Sequence, residues 1–492
     1  MKRCLLIYRE MLCYLSVTAQ ADNIGREDFI MERIRTKYFG DKAFYKMILA
    51  IALPIVVQNL LTNFVAMLDN VMVGKVGTDQ MTGVAVVNQL IFVFNLAVFG
   101  GMSGAGIFSA QYFGREDHKG VRNVFRMKFI IGLIIIAISL FIFILFHQPL
   151  IHMFLHEGGS SGNIAATYDY AKTYLFIMLF SIPPFVVSNC YSTTLKEAGQ
   201  TAIPMVAGLF AVVIDFVFNA LLIFGLLGFP KLGVAGAAIA TVLSRFVECG
   251  YLMFYTHRHS EKYQFIKGVY RSLYVPMHLV KNIIYRGTPL LFNELLWAAG
   301  ITMQTQAFSI RGLPTVAGLN IANTINNVVN TAFLTMGVAI SIVIGQLLGA
   351  GKKQEAKDTD RKMIVCSVLI SVGVSAILVT ASALFPQIYN TTGEIRYLAS
   401  HFILVYALAA PFNAFTNASY FTLRSGGKTV MTFIFDSGFI WGINVPLAMI
   451  LAHFTTLPIV WMFFCISMLD VVKSVIGFIL VKRGTWLNII VE

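Results

Sequence analysis

The chain has 492 residues, of which 57% are hydrophobic and only 12% are charged. Soluble globular proteins carry about 25% charged residues, so this composition excludes an ordinary soluble domain and indicates a protein that crosses a membrane several times. The formal net charge of +13 would suit nucleic acid or another acidic partner, but the placement of the charges gives it a different explanation.

Twelve long apolar stretches predict an all-α polytopic membrane protein with 12 transmembrane helices. Each stretch is long enough to cross a hydrocarbon core of about 30 Å as a helix. A sheet or an irregular chain is excluded, because unpaired backbone groups in lipid are costly. In chain order the predicted spans are residues 45–74, 81–107, 123–147, 166–190, 203–227, 234–256, 282–308, 316–345, 363–386, 398–422, 430–453 and 458–481.

The basic residues lie mainly on one side of these spans. Clusters follow the second and the eighth span, at residues 115–128 and 352–362, whereas the loops of the opposite side carry Lys75, Lys231, Arg311 and Arg396. By the positive-inside rule, this asymmetry predicts that both termini are cytoplasmic in the plasma membrane. Topology therefore explains the basic charge, and we expect no nucleic-acid partner.

The first six spans resemble the second six at fixed distances. One block recurs 235 residues later and another 228 residues later, pairing Pro54 with Pro289, Gly83 with Gly318, Asn88 with Asn323, Asn95 with Asn330, Gln111 with Gln346, Gly114 with Gly349, Pro183 with Pro411 and Asn189 with Asn417. Because six spans precede the second copy, both copies enter the membrane from the same side. We expect two six-helix lobes related by a pseudo-twofold axis along the membrane normal, with a binding site between them.

The repeat divides the chain into five parts. These are a cytoplasmic N-terminal segment at residues 1–44, a first lobe at 45–256, a cytoplasmic linker at 257–281, a second lobe at 282–481 and a cytoplasmic tail at 482–492. Residues 1–30 imitate a secretory signal, but Arg9 and Glu10 interrupt the apolar stretch. We favour a native translation start at Met31.

No motif for catalysis or cofactor binding stands out. The run from Gly426 to Thr429 ends like a phosphate-binding loop, but Thr422 stands where that motif needs another glycine. The six cysteines form no CxxC pair, and the histidines lie mostly in loops or at span ends, so neither disulfides nor a zinc site are indicated. We expect no enzyme activity, no cofactor and no metal other than a coupling ion.

Acidic residues inside the spans are the main functional candidates. Asp69, Asp215, Glu294 and Asp436 lie there, and an ionised group at a helix centre costs about 2.5 to 3.5 kcal/mol on insertion scales. Each of them either bonds to a neighbouring helix or serves transport. Asn219 follows Asp215 by one helical turn, so the pair shares a helix face and can bind Na+ or hold a proton.

Two further patterns concern bending and helix contacts. Pro54 and Pro289 each remove a backbone hydrogen bond inside a span and predict hinges. Four asparagines recur in pairs at seven-residue spacing, which suits either helix–helix hydrogen bonds or the lining of a cavity: Asn88, Asn95, Asn323 and Asn330.

Two oppositely charged pairs lie three residues apart within single spans. They join Asp470 to Lys473 and Arg245 to Glu248. Because side chains at this spacing meet on a helix, we expect each pair to neutralise itself.

Several short motifs recur in an order and spacing that identify a family. They are Ala52-Leu53-Pro54, Leu68-Asp69, Val73-Gly74, Ala110-Gln111-Tyr112-Phe113-Gly114, Ile223-Phe224-Gly225, Gly233-Val234-Ala235-Gly236-Ala237, Ala240-Thr241 and Leu423-Arg424-Ser425-Gly426-Gly427. From about residue 45 onward the chain resembles the multidrug and toxic compound extrusion (MATE) family.

The resemblance implies an antiporter that exports lipophilic organic cations, drugs or metabolites in exchange for Na+ or H+ by alternating access. It assigns cation coupling to Asp69 and to the pair Asp215 and Asn219, which stands here in the reverse order of relatives that carry Asn first. It places Glu294 among the functional acids, and we add Asp436 and the four asparagines as cavity residues. The expected partners are small organic cations and the lipid bilayer, and we expect a monomer.

Two other classes of protein remain to be weighed. A lipid-linked oligosaccharide flippase of the same superfamily is the alternative; such flippases have a strongly cationic cavity, whereas the mid-span charges here are mainly acidic. A membrane-embedded acyltransferase is disfavoured, because no histidine lies beside an acid at the membrane centre.

Overall fold

The computed structural model describes residue 32, residues 35–154 and residues 164–491. Within these ranges the chain forms twelve long helices. They are α1 Lys42–Gly74, α2 Thr78–Gly114, α3 His118–Leu145, α4 Ile164–Glu197, α5 Ala202–Phe224, α6 Val234–Arg258, α7 Met277–Ser309, α8 Leu313–Gly349, α9 Lys353–Leu384, α10 Gly393–Ser425, α11 Thr429–Phe454 and α12 Ile459–Arg483. The expected start at Met31 lies outside the described residues.

These helices confirm the predicted all-α membrane fold. In the described part of the chain, eleven helices are long and apolar enough to cross a membrane. The remaining long helix, α7, is less apolar but has 33 residues. With 37 residues each, α2 and α8 are longer than their predicted spans; at 1.5 Å per residue they reach about 55 Å, so their ends project beyond the hydrocarbon core.

Among the described helices, α4 and α11 contain stretches of 3-10 or π geometry. One 3-10 turn at Leu179–Ser181 interrupts α4 just before its two prolines. In α11, the stretches Ile434–Gly438 and Ile440–Asn444 are π-helical. Wide turns of this kind are rare and occur frequently at functional sites, and Asp436 lies within the first of them.

The two lobes meet closely where α2 crosses α8. Gly114 of α2 lies against the backbone of Gln346, and Gly349 of α8 lies against the backbone of Gln111; neither glycine has room for a Cβ atom. The repeat pairs Gly114 with Gly349 and Gln111 with Gln346, so the two contacts are equivalent to each other and the crossing is symmetric. It lies at the C-terminal ends of the two helices.

Two glutamines fasten this end of the lobe interface. The Gln346 Nε2 atom donates to the Glu197 carbonyl oxygen at 2.6 Å, and the Gln111 Nε2 atom donates to the Ser425 carbonyl oxygen at 3.2 Å. Glu197 and Ser425 are equivalent in the second block of the repeat, so the two bonds are symmetric partners. Each lobe thus binds the last turn of α4 or α10 of the other lobe.

The residues after α12 form a C-terminal tail that contacts both lobes. Trp486 is 1% exposed and its backbone lies against Gly426 of the second lobe. The Ile490 N–H donates to the Gln111 Oε1 atom at 2.9 Å, and Arg115 donates to the Val491 carbonyl oxygen at 3.3 Å. The tail therefore bridges the lobes at the same end as the two glutamines, and we call this end of the helices the tail end.

The linker between α6 and α7 packs against the first lobe. Arg122 and Arg126 of α3 donate to backbone carbonyls of the linker, at 3.1 Å to Phe265 and 2.9 Å to Val269. The side chains of Phe265 and Val269 are buried. Polar composition alone predicted a linker but not this docking.

Candidate functional site

Three polar residues of α1 and α5 meet inside the first lobe, and we call them the carboxylate cluster: Asp69, Asp215 and Asn219. The Asn219 Nδ2 atom donates to the Asp69 Oδ1 atom at 2.7 Å and to the Asp215 Oδ2 atom at 3.2 Å. Asp215 is 4% exposed and Asn219 is fully buried. The amide therefore stands between the two carboxylates, and the reversed order of Asp and Asn still gives a compact site.

Two oxygens of the carboxylate cluster have no hydrogen-bond donor within the described protein. They are the Asp215 Oδ1 atom and the Asn219 Oδ1 atom, and both are buried. Unsatisfied buried oxygens are costly unless a ligand or water pairs with them. Hard cations prefer oxygen ligands, so the donor set fits Na+, and a proton on one carboxylate would relieve the repulsion between the two acids.

The helix α6 lies next to the cluster and contributes one cation. Arg245 pairs with Glu248 at 3.0 Å, as the spacing predicted, and its guanidinium lies 5.1 Å from the centroid of the Phe185 ring. A cavity of about 30 Å³ lies beside them and is lined by Asn95, Thr241 and Arg245, among others. This volume suffices for a water molecule.

A second polar group, which we call the second-lobe network, joins α7, α10, α11 and α12. The Asn293 Nδ2 atom donates to the Asp436 Oδ2 atom at 2.9 Å. The Lys473 ammonium donates to the Asp436 Oδ1 atom at 2.7 Å. Next to Asn293, Glu294 accepts from the Tyr420 hydroxyl at 3.3 Å.

The predicted pairing of Asp470 with Lys473 is wrong. Lys473 reaches across to Asp436 on α11 instead, and Asp470 accepts from the Asn413 side chain at 3.4 Å. The Asp436 carboxylate is only 16% exposed, and in a poorly solvated place the attraction of the ammonium is strong. Asp436 is therefore neutralised within the lobe.

Glu294 lies at the interface between the lobes. A Cβ atom on Gly100 of α2 would be 3.2 Å from the Glu294 Cγ atom, so the acid faces the other lobe. Close by, the Arg424 guanidinium of α10 lies 5.6 Å from the centroid of the Phe99 ring of α2. Arg424 is 7% exposed, and its Nε and Nη1 atoms have no partner within the described protein.

The two polar groups are not symmetry mates. The repeat places Gln304 and Ile443 at the positions of Asp69 and Asp215, and it places Gln58 and Gly208 at the positions of Asn293 and Asp436. Because Asn293 corresponds to Gln58, eleven residues before Asp69, the second-lobe network lies about 16 Å deeper toward the tail end along the helix axis. The carboxylate cluster is nearer the opposite surface.

The four asparagines lie in different surroundings. Asn323 accepts from the Tyr406 hydroxyl at 2.6 Å, which is a helix–helix contact. Asn95 lines the small first-lobe cavity. Asn88 is exposed, and Asn330 is half-buried. A shared role in one cavity remains a prediction for these residues.

The comparisons with known proteins agree with this architecture. The family model MatE matches residues 54–221 and 289–450, two blocks that start at the equivalent prolines Pro54 and Pro289. The chain belongs to the MatE family. Membership confirms the resemblance drawn from the motifs and makes the chain a multi-pass membrane protein of a multidrug efflux family.

The relatives of this MatE protein match over nearly its whole length. The probable multidrug resistance protein NorM of Thermotoga maritima is 25% identical over 445 residues, which is 90% of this chain and 93% of the relative.

Two solved structures show the same fold. The Vibrio cholerae MATE transporter VcmN has a TM-score of 0.80 at 14% identity, covering 90% of this chain and 98% of its own. An outward-facing conformation of a multidrug resistance MATE family transporter of the MOP superfamily has a TM-score of 0.78 at 19% identity, covering 92% of this chain and 98% of its own.

Several polar contacts inside the two lobes were not predicted from the sequence. Asn293, Tyr420 and Lys473 complete the second-lobe network, and the buried Lys128 pairs with Glu197 at 2.6 Å. One signal in the sequence could have pointed to Asn293: it is the repeat equivalent of another polar residue inside a span, Gln58. In the described part of the chain, no three His, Cys, Asp or Glu side chains are grouped to hold a metal ion.

Proposed function

We propose that this MatE protein is a secondary antiporter that exports lipophilic organic cations in exchange for inward Na+ or H+. The observation that carries the proposal is the carboxylate cluster. Two acids share one amide there, and two buried oxygens lack a donor. A site of this kind is unfavourable when empty and ionised, and a bound cation makes it favourable.

Ion occupancy offers a way to drive the conformational cycle. Asp69 is on α1 and Asp215 is on α5, so neutralising the cluster changes how these two helices attract each other. Pro54 lies inside α1 and weakens the helix between the cluster and the tail end. A change at Asp69 can therefore be taken up by bending at Pro54, with the rest of α1 left in place.

The closed end of the lobe interface supports an assignment of the state. Gln111, Gln346 and the tail fasten the lobes at the end where the charge pattern predicts the cytoplasm. This arrangement fits an outward-facing state, and alternating access then requires those bonds to break. Both termini are cytoplasmic in this proposal.

Glu294 is our candidate for substrate contact. It faces the other lobe at mid-helix, next to the Tyr420 ring. A carboxylate beside an aromatic ring attracts lipophilic cations. A bound cation would also offset the cost of the charge at this depth.

The test is transport by the full chain in proteoliposomes. We expect ethidium to be moved when an opposing Na+ or pH gradient is imposed, and the gradient that drives it names the coupling ion. Ethidium movement that depends on neither gradient contradicts the proposal. A variant with Asp79→Asn, an acid at the start of α2 outside the cluster, is the matched control.

The environment of Arg424 favours the alternative function, a lipid-linked oligosaccharide flippase. Its guanidinium is buried at the lobe interface with unpaired N–H groups, as an anionic head group would need. Glu294 lies on the same interface and opposes that charge. If the protein translocates an anionic lipid-linked sugar and does not transport ethidium, it is a flippase and not a cation antiporter.

A further inference from the structure

A large cavity opens on the second lobe, beside the second-lobe network: the Lys473 Nζ atom lies 5.4 Å and 5.9 Å from the ring centroids of Phe435 and Phe439, which line the cavity. Its volume is about 850 Å³, and α7, α11, α12 and the tail line it. We call it the α7–α11 cavity. Its walls are mostly apolar, with Met431, Phe435, Phe439 and Leu480 among the lining residues. Val430 and Ile434 are 47% and 61% exposed, so this wall continues onto the face that the bilayer covers.

Two basic side chains lie where the α7–α11 cavity reaches the tail end of the helices. They are Arg286 and Lys428. The Arg286 Nη1 atom donates to the Gly427 carbonyl oxygen at 2.6 Å, but its Nε atom is buried without a partner in the described protein. The cavity thus combines an apolar trough with a cationic end and an unused N–H donor.

The first lobe differs at the equivalent positions. Ile51 and Gln200 stand there in place of Arg286 and Lys428, and Ile51 is buried. Thr201 closes the gap between α1 and α5 with a hydrogen bond to the backbone of α1. Its equivalent Thr429 lines the cavity instead. The basic end is therefore a feature of the second lobe and not of the shared fold.

We propose that the α7–α11 cavity binds a phospholipid with an anionic head group, drawn from the leaflet on the side of the tail. Arg and Lys bind phosphate oxygens with charge-assisted hydrogen bonds, and basic pockets between helices on the cytoplasmic side suit anionic head groups. The apolar wall takes an acyl chain. The same charges repel the cationic substrates proposed above, so this site is distinct from the transport route.

The test measures lipid retention by native mass spectrometry on the purified full chain in detergent. Phosphatidylglycerol is compared with phosphatidylcholine of the same acyl chains, and soluble glycerol phosphate is added as a competitor. We expect the wild type to retain phosphatidylglycerol preferentially. Arg286→Gln and Lys428→Gln should each weaken retention about fivefold, the value of one basic residue near a membrane surface. Lys353→Gln, at the exposed start of α9, should leave it unchanged.

A variant that fills the cavity separates the head-group effect from the acyl-chain effect. A Cβ atom on Gly438 would meet Ile434 at an ordinary 3.5 Å, so Gly438→Leu should be tolerated and should reduce retention of both lipids. The proposal is wrong if the wild type does not prefer phosphatidylglycerol, or if Lys428→Gln and Gly438→Leu retain it like the wild type. If soluble glycerol phosphate by itself displaces the bound phosphatidylglycerol, the site binds a soluble anion and the proposal is also wrong. If the Arg286→Gln protein does not fold, the results for Lys428→Gln and Gly438→Leu decide whether the proposal holds.

Discussion

The Thr201 hydroxyl donates to the carbonyl oxygen of Ala50 at 3.1 Å. Ala50 precedes Pro54 by four residues, so its carbonyl is the one that the proline leaves without a helical N–H donor. The same device recurs at Pro411 in α10, where Ser375 of α9 donates to the freed carbonyl of Ala407 at 2.7 Å. Hydroxyl groups from neighbouring segments thus satisfy proline-freed carbonyls, which makes such prolines tolerable in a membrane.

This relationship predicts a specific stability effect near Pro54. Thr201→Val should lower stability by about 1 kcal/mol, because it removes the donor of a part-buried hydrogen bond, whereas Thr201→Ser should keep the bond. Thermal unfolding in detergent measures both. The control is Thr62→Val, whose hydroxyl bonds within its own helix at an exposed position; an equal loss in the control would remove the special role of Thr201.

Asp69→Asn should abolish ion-driven ethidium export while membrane insertion stays normal. The amide cannot carry a proton or a negative charge, so the carboxylate cluster would lose its response to the coupling ion. Transport in proteoliposomes and expression level are both measured, with Asp79→Asn in parallel. Wild-type export by Asp69→Asn at normal expression would contradict the coupling role.

The reversed pair on α5 can be tested by exchanging its members. Asp215→Asn alone should be inactive, and Asp215→Asn combined with Asn219→Asp should recover part of the transport, because the carboxylate moves one turn along the same helix face. Both are assayed in the same proteoliposomes. An active single variant with an inactive double variant would exclude Asp215 from coupling.

Glu294→Gln should reduce transport of cationic dyes with little change in thermal stability. Within the described residues its side chain makes one long hydrogen bond, at 3.3 Å to Tyr420, so the neutral side chain loses little within the lobe. Dye binding and the unfolding temperature are compared for the two proteins. A large loss of stability with unchanged dye binding would mean that Glu294 holds helices together instead.

The ion pair between Lys473 and Asp436 should contribute to stability only as a pair. Lys473→Met alone should destabilise by about 3 kcal/mol, because it leaves a poorly solvated carboxylate unpaired. Adding Asp436→Asn should restore most of that loss. Lys352→Met, which breaks an exposed pair with Glu355 at 3.0 Å, should cost less than about 1 kcal/mol. Equal losses in the two single variants would contradict this difference.

Sequence patterns predicted the helices and the repeat because both follow from features that are local in the chain. The length of an apolar stretch identifies a membrane span, and the recurring prolines and glycines identify the two copies of the repeat. The cluster of Asp69, Asp215 and Asn219 was also predicted, since the family motifs named its members. Lys473 was assigned to Asp470 because a three-residue spacing is visible in the sequence, whereas the approach of α11 to α12 is not.

The different depths of the two polar groups were likewise hidden from the sequence. The repeat aligns Asp69 with Gln304, and nothing in that alignment shows that the second lobe places its acids around Asn293 instead. Only the packing of α7 against α11 brings Asn293 to Asp436. Pseudo-symmetry therefore predicts backbones better than it predicts sites.

The bridging tail bears on how the protein is handled in the laboratory. Val491 is 3% exposed and its carbonyl is held by Arg115, so a purification tag placed close behind this residue would begin near a crowded place between the lobes. Such a fusion would favour conformations of the two lobes in which the tag has space. A long flexible spacer, or a tag at the other end of the chain, would leave the conformational balance as the cell has it.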